Sequence, residues 1–176
     1  RHSLYSIEAD GAFRYLKAQS DASSSGLIYT GQFDVYTYPK IRWRWKVDNL
    51  YVGEQVNKAG AKEGDDYPIR IYVIFQYDPE RAGPIQRLTY SAAKRRHGEY
   101  PPYSALNYVW ASNLSPEPTM TNPYTSRSKM IFLQMGDALK GRWVDESVNV
   151  LEDYRRVFGE NPPATAGLAV MNDSDD

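Results

Sequence analysis

No cysteine occurs in the 176 residues, which removes a disulfide framework, a thiolate nucleophile and a cysteine-ligated zinc site together. That absence fits an oxidising and a reducing compartment equally. Histidine is almost missing too: His2 lies beside the start of the chain and His97 inside a basic run. A Ser-His-Asp triad or a histidine-rich metal centre is therefore disfavoured. The glycine signatures of phosphate and dinucleotide sites do not occur, nor does the GxSxG of a nucleophile elbow. No apolar run approaches the roughly 20 residues that a membrane-spanning helix needs. Charge of one sign is also lacking. The 21 basic residues face 22 acidic ones, for a net charge of −1, without the basic excess of a general nucleic-acid binder. No secretion signal is visible, and the opening Arg1, His2, Ser3 in place of methionine reads as a mature or trimmed chain.

Aromatic residues are what the chain has in abundance: 14% of it, with 15 Tyr and 4 Trp. Such residues favour half-buried pleated surfaces, and Tyr and Trp also offer flat faces on which sugars stack. Short alternating segments separated by turn residues recur from end to end, the pattern of an all-β domain. Residues 4–9 and 12–18 flank Asp10 and Gly11, a hairpin signal. The clearest strand covers residues 41–47, where Ile41, Trp43, Trp45 and Val47 point one way and Arg42, Arg44 and Lys46 the other. Residues 67–77 form a second long strand, and 27–33, 105–112, 129–135, 142–150 and 164–171 complete the set. Residues 48–66 form a polar connection long enough to be suspected of function. The stretch 78–98 is ambiguous, with a strand candidate at 86–90 and a solvated basic run at 94–97. One helix stands out, residues 152–158, stopped by Gly159 and then Pro162 and Pro163. The expectation is a single domain over residues 1–176, all-β, built as a two-sheet jelly-roll sandwich with one short helix near the C-terminal part.

Two clusters carry chemistry. If the strands at 41–47 and 67–77 share a sheet, Arg42, Arg44, Lys46 and Arg70 fall on one face. Cations so placed are solvated, paired with Glu63, Asp65 or Asp66, or bind an anion through guanidinium forks. Tyr72, Tyr108 and Trp110 would stack beside them, a combination suited to an acidic sugar. The opposite choice of buried face would make Trp43 and Trp45 the ligand platform. The second cluster is Asp65 and Asp66 with Asp173, Asp175 and Asp176, a carboxylate group compatible with a structural calcium ion, for which Asp65, Asp66, Asp173 and Asp175 are the candidate ligands. Asp173-x-Asp175 is a weak signal, because acidic tails are commonly solvated, and no EF-hand loop is present. A carboxylate pair for glycoside hydrolysis is a spatial arrangement that does not show in sequence, and Tyr72 with Arg70 is compositionally able to serve a polysaccharide lyase.

Several segments resemble one bacterial family. Trp43 to Val47 form the first, followed by Gly64, Asp65, Asp66 and Tyr67, then Arg70 to Val73, then Leu106 to Ala111. Trp143, Asn149, Val150, Glu152, Asp153, Tyr154, Phe158, Gly159, Glu160 and the run from Ala169 to Asp175 continue in the same order. Together they are similar to the family catalogued as domain of unknown function 3047. The resemblance implies a secreted or envelope protein, periplasmic or extracellular, whose jelly roll is similar to galactose-binding-like and other carbohydrate-binding modules. It implies no established activity. The family pattern runs past Asp-x-Asp into an Asn-Thr pair and a last strand, so a terminal strand is expected beyond Asp176. The functional expectation is a carbohydrate-directed module, with a carbohydrate-active lyase or hydrolase on the same fold as the alternative. A third reading, an envelope scaffold, would use the same surface for a protein partner.

Overall fold

The computed structural model describes residues 2–52, 65–115 and 117–174. The chain opens with a hairpin of β1 (Leu4–Asp10) and β2 (Phe13–Gln19), paired antiparallel from Leu4 opposite Gln19 to Asp10 opposite Phe13. That register leaves Gly11 and Ala12 as the loop. Gly11 has φ +62°, the left-handed value that glycine adopts without a Cβ clash at the first position of a tight hairpin turn.

The centre is a six-stranded mixed sheet. Its elements are β3 (Ser24–Asp34), β5 (Ile69–Phe75), β6 (Ser104–Ala111), β7 (Thr119–Thr121), β8 (Ser128–Met135) and β10 (Thr165–Asp173), in the order β3-β10-β5-β6-β8-β7. The pair β6–β8 is parallel and the others are antiparallel. A separate two-stranded ribbon joins β4 (Lys40–Trp45) to β9 (Val144–Asn149), with Trp43 opposite Glu146. The mostly β character agrees with the alternation in the sequence. The jelly-roll sandwich is not confirmed, because two sheets of comparable size do not form among the described residues. One large sheet with a parallel pair is covered instead by a narrow ribbon and a helix.

That helix, α2 (Val150–Phe158), follows β9 directly. The Asn149 side chain accepts from the Glu152 amide at 3.2 Å, and Gly159 ends the helix with φ +71°. These are the usual N-cap and left-handed C-terminal devices. A second helix, α1 (Pro84–His97), corrects the strand suggested for residues 86–90. Gly83 and Pro84 start it and Gly98 at φ +86° stops it. It escapes a periodicity reading because it has no buried face: Ile85 and Leu88 are 83% and 75% exposed. It is tethered by Tyr90, stacked 3.8 Å from Tyr77.

Alternation decides the layers. On one face of the sheet Val73, Phe75, Leu106, Tyr108, Ile131 and Ala166 pack against Val150 and Tyr154 of α2 and against Ile41 and Trp43 of the ribbon. Trp45 and Val47 extend this layer over Trp110. The tryptophans of β4 therefore face inward and its arginines outward. On the opposite face Tyr67, Val109, Ala111, Met130 and Phe132 form a second cluster. There Arg70, only 3% exposed, donates to Asp65 at 3.2 Å and to Asp173, while Asp173 also accepts from the Tyr67 amide at 3.1 Å.

Removing one partner of a buried ion pair leaves an uncompensated charge. Arg70→Ala is expected to lower the urea-unfolding free energy by about 3–5 kcal/mol. Adding Asp65→Asn and Asp173→Asn to that variant should recover part of the loss. A second expectation concerns alkali. Burial raises the phenol pKa values of Tyr67, Tyr72 and Tyr108 above their ordinary range, and pushes that of Tyr154 up to about 12. A raised folded-state pKa leaves stability intact below the ordinary value of about 10 and removes it as pH climbs beyond. Between about pH 7 and pH 10 the tyrosines should thus leave the thermal midpoint unchanged, and it should fall above that range. In alkali, tyrosinate absorbance should show a late fraction that appears only with loss of the near-ultraviolet dichroism.

Candidate functional site

The β1–β2 hairpin stands beside the ribbon, and the gap between them is a groove of about 570 Å³. Its placement follows from two alternations. On β2 the residues Phe13, Tyr15 and Lys17 share one side, and on β4 so do Arg44 and, just beyond the strand, Lys46. Trp143 leads into β9 and meets both groups. Its ring lies 5.2 Å from Phe13 and 5.2 Å from Tyr15, edge to face in each case. The guanidinium of Arg44 sits over Phe13 at 5.4 Å and over Trp143 at 5.9 Å, and the Lys46 ammonium lies 5.7 Å from Trp143. Cations so placed on aromatic faces are held without being buried.

Deeper in, the groove reaches Trp43 and Trp45 on the ribbon side and Ile69, Ile71 and Asn172 on the sheet. The Asn172 amide donates to the Pro68 carbonyl at 2.7 Å. Two polar atoms of this wall, Trp43 Nε1 and Asn172 Oδ1, are buried without a hydrogen-bond partner among the described residues. Each such atom costs about 1–3 kcal/mol. The mouth is framed by the Ser20 and Tyr51 hydroxyls, 3.1 Å apart. Four cations line the groove, Arg14, Lys17, Arg44 and Lys46, and among the described lining residues Asp48 is the single carboxylate.

The residues singled out from sequence fall in three places. Arg42 and Arg44 lie exposed on the outside of the ribbon, Arg44 paired with Asp145 at 3.0 Å. Tyr108 and Trp110 belong to the core beneath it. The Tyr108 hydroxyl donates to Asp153 at 2.9 Å, and Trp110 Nε1 donates to the Gly136 carbonyl at 3.3 Å. Arg70 and Tyr72 lie on the far face of the sheet, with the guanidinium 6.0 Å from the Tyr72 ring. The single Arg/aromatic face expected from sequence therefore does not assemble, because β4 pairs with β9 and not with β5. Of that set only Arg44 reaches the groove.

The acidic cluster is partly brought together. Asp65 and Asp173 meet at Arg70, so the cation between them is a guanidinium. Asp66 is buried nearby in sequence, and Asp175 and Asp176 lie outside the described residues. No group of three or more His, Asp or Glu side chains able to hold a metal gathers among the described residues. Most of the connection at residues 48–66 lies outside the described residues as well. Phe13, Tyr15 and Lys17 were missed as site residues, although their spacing on β2 puts two rings and a cation on one side.

Trp143 is the piece that joins hairpin to ribbon. Trp143→Ala deletes two edge-to-face pairs, each worth about 0.5–1.5 kcal/mol. Amide exchange in residues 4–19 should quicken while residues 69–75 and 104–111 keep their protection.

No curated protein matches the chain. The whole of it, residues 1–176, matches the family described as protein of unknown function (DUF3047). The chain belongs to that family.

Proposed function

We propose that this chain is a carbohydrate-directed module whose ligand lies in the groove between the hairpin and the ribbon. The observation that carries the reading is the cluster of Phe13, Tyr15 and Trp143 at the groove, with the Ser20 and Tyr51 hydroxyls in the same lining. Flat rings give a sugar apolar contact with little loss of rotamer freedom, and a few fixed polar atoms orient its hydroxyls. The jelly-roll likeness to carbohydrate-binding modules lends no support. The reading rests on the groove. Binding is favoured over hydrolysis because acid/base cleavage of a glycosidic bond needs two carboxylates facing the sugar. Asp48, the single acid described in the lining, is tied to Lys46 at 3.3 Å. A polysaccharide ligand would place the protein in the periplasm or outside the cell, a location that belongs to the same proposal.

Affinity electrophoresis through gels holding different polysaccharides tests the reading. Retardation by at least one polymer is expected, and both Phe13→Ala and Trp143→Ala should weaken it by about tenfold, the effect of losing one stacking contact. Migration unchanged in every gel, or retardation unaffected by both substitutions, would exclude the groove. Release of unsaturated or reducing ends during incubation would move the assignment from module to enzyme.

A further inference from the structure

We infer that the sugar taken by this groove is acidic, with its carboxylate received by Arg44 and Lys46 at the edge of Trp143; the inference rests on the groove reading above. The chain as a whole is close to neutral, yet its groove is not. Arg14, Lys17, Arg44 and Lys46 line it against Asp48, with Glu8 paired to Lys17 at 3.2 Å and Asp145 to Arg44 at 3.0 Å from outside the lining. The lining itself carries more cations than acids, which favours anions there. Arg42, exposed two residues before Arg44 on the same side of β4, prolongs this row of cations.

Arg44 is the residue best placed for recognition. Its Nε is engaged with Asp145, and no hydrogen bond from its two terminal nitrogens is found among the described residues. Those nitrogens form the fork that matches a carboxylate with two parallel bonds. The guanidinium plane is meanwhile held over Phe13 and Trp143, so little side-chain freedom remains to be lost on binding. Lys46, 5.7 Å from the Trp143 ring, supplies a second charge beside the first. The acids that accompany them do not occupy the position firmly. The Asp145 and Asp48 side chains are 75% and 62% exposed, and solvent-exposed pairs of this kind are weak and screened by salt. A ligand carboxylate inside the groove competes with them on favourable terms. A sugar ring against the aromatic cluster with its carboxylate on the adjoining cations uses both kinds of group at this end of the groove, whereas a neutral sugar leaves the fork unused.

The experiment compares a polyuronate with a neutral polysaccharide of similar backbone by affinity electrophoresis and by calorimetry with oligosaccharides, at low and at high salt. Tighter binding of the acidic oligosaccharide by about tenfold at low salt is expected, the ratio that one charge-assisted pair supplies. The preference should shrink at high salt. Arg44→Gln with Lys46→Gln should abolish the preference, so that the acidic and neutral oligosaccharides bind alike, while Trp143→Ala should weaken both ligands. Circular dichroism confirms that each variant is folded. Arg44→Lys keeps the charge and removes the fork, so it should retain the salt dependence with a smaller preference. Competition by acetate matching that by the free uronate would show a simple anion site and overturn the assignment to a sugar acid. Equal affinity for the two polymers, or a preference unchanged in the double variant, would overturn the inference and leave the carbohydrate reading standing. Binding of neither polymer would remove both.

Discussion

The packing of Trp43 and Trp45 beneath the β4–β9 ribbon is the contact on which the remaining architecture depends. A six-stranded sheet with an apolar face must be covered, and a two-stranded ribbon is narrow for the task. Large rings solve the problem. Trp43 lies 5.5 Å from Tyr108, Trp45 lies 5.7 Å from Trp110, and the two tryptophans meet edge to face at 5.5 Å. Four aromatic side chains thereby fill the space that a second full sheet would occupy. Because successive residues of a strand face opposite ways, burying these tryptophans obliges Arg42 and Arg44 to point outward. The cationic wall of the groove is a consequence of the core.

The far face of the sheet meets a different constraint. Arg70 alternates with Ile69 and Ile71, so once those residues face the ribbon the guanidinium must enter the second cluster beside Tyr67. A lone guanidinium there would be costly, and Asp65 and Asp173 arrive from two separate segments to neutralise it. The pairing couples the start of β5 to the end of β10. Asn172, the neighbour of Asp173, faces the other way and lines the groove. The ion centre on one face thus fixes the position of a polar residue on the other, through a single alternation of β10.

Much of the fold was legible because alternation is a local property. Strands β4, β5, β6, β8 and β10 announce themselves by apolar residues at every second position or by unbroken apolar runs. Helix α1 and strand β7 do not. The first buries no face, and the second is three residues long in a Pro-rich loop, so neither leaves a period to read. The choice between arginine and tryptophan as the buried side of β4 was posed by the sequence but decided only by what lies beneath it. Pairing partners were the larger gap. Nothing local tells β4 to join β9 instead of β5, and that one difference separates Arg44 from Arg70 and dissolves the shared face inferred from their spacing.

The site followed the same logic. Phe13, Tyr15, Arg44 and Trp143 lie in three distant parts of the chain, and none is unusual in its own surroundings. What distinguishes them is that they meet at a place where solvent still enters. A ring cluster in a closed core stabilises by excluding water. The same cluster beside an open groove leaves ring edges and cation forks with unused capacity. Trp43 Nε1 and Asn172 Oδ1 lie buried in the wall without a partner among the described residues, while Arg44 stays exposed on the outer side. In the proposed reading a ligand carboxylate would take the outer nitrogens of Arg44 while the sugar meets the rings beside it, a pairing that a neutral glycan does not provide.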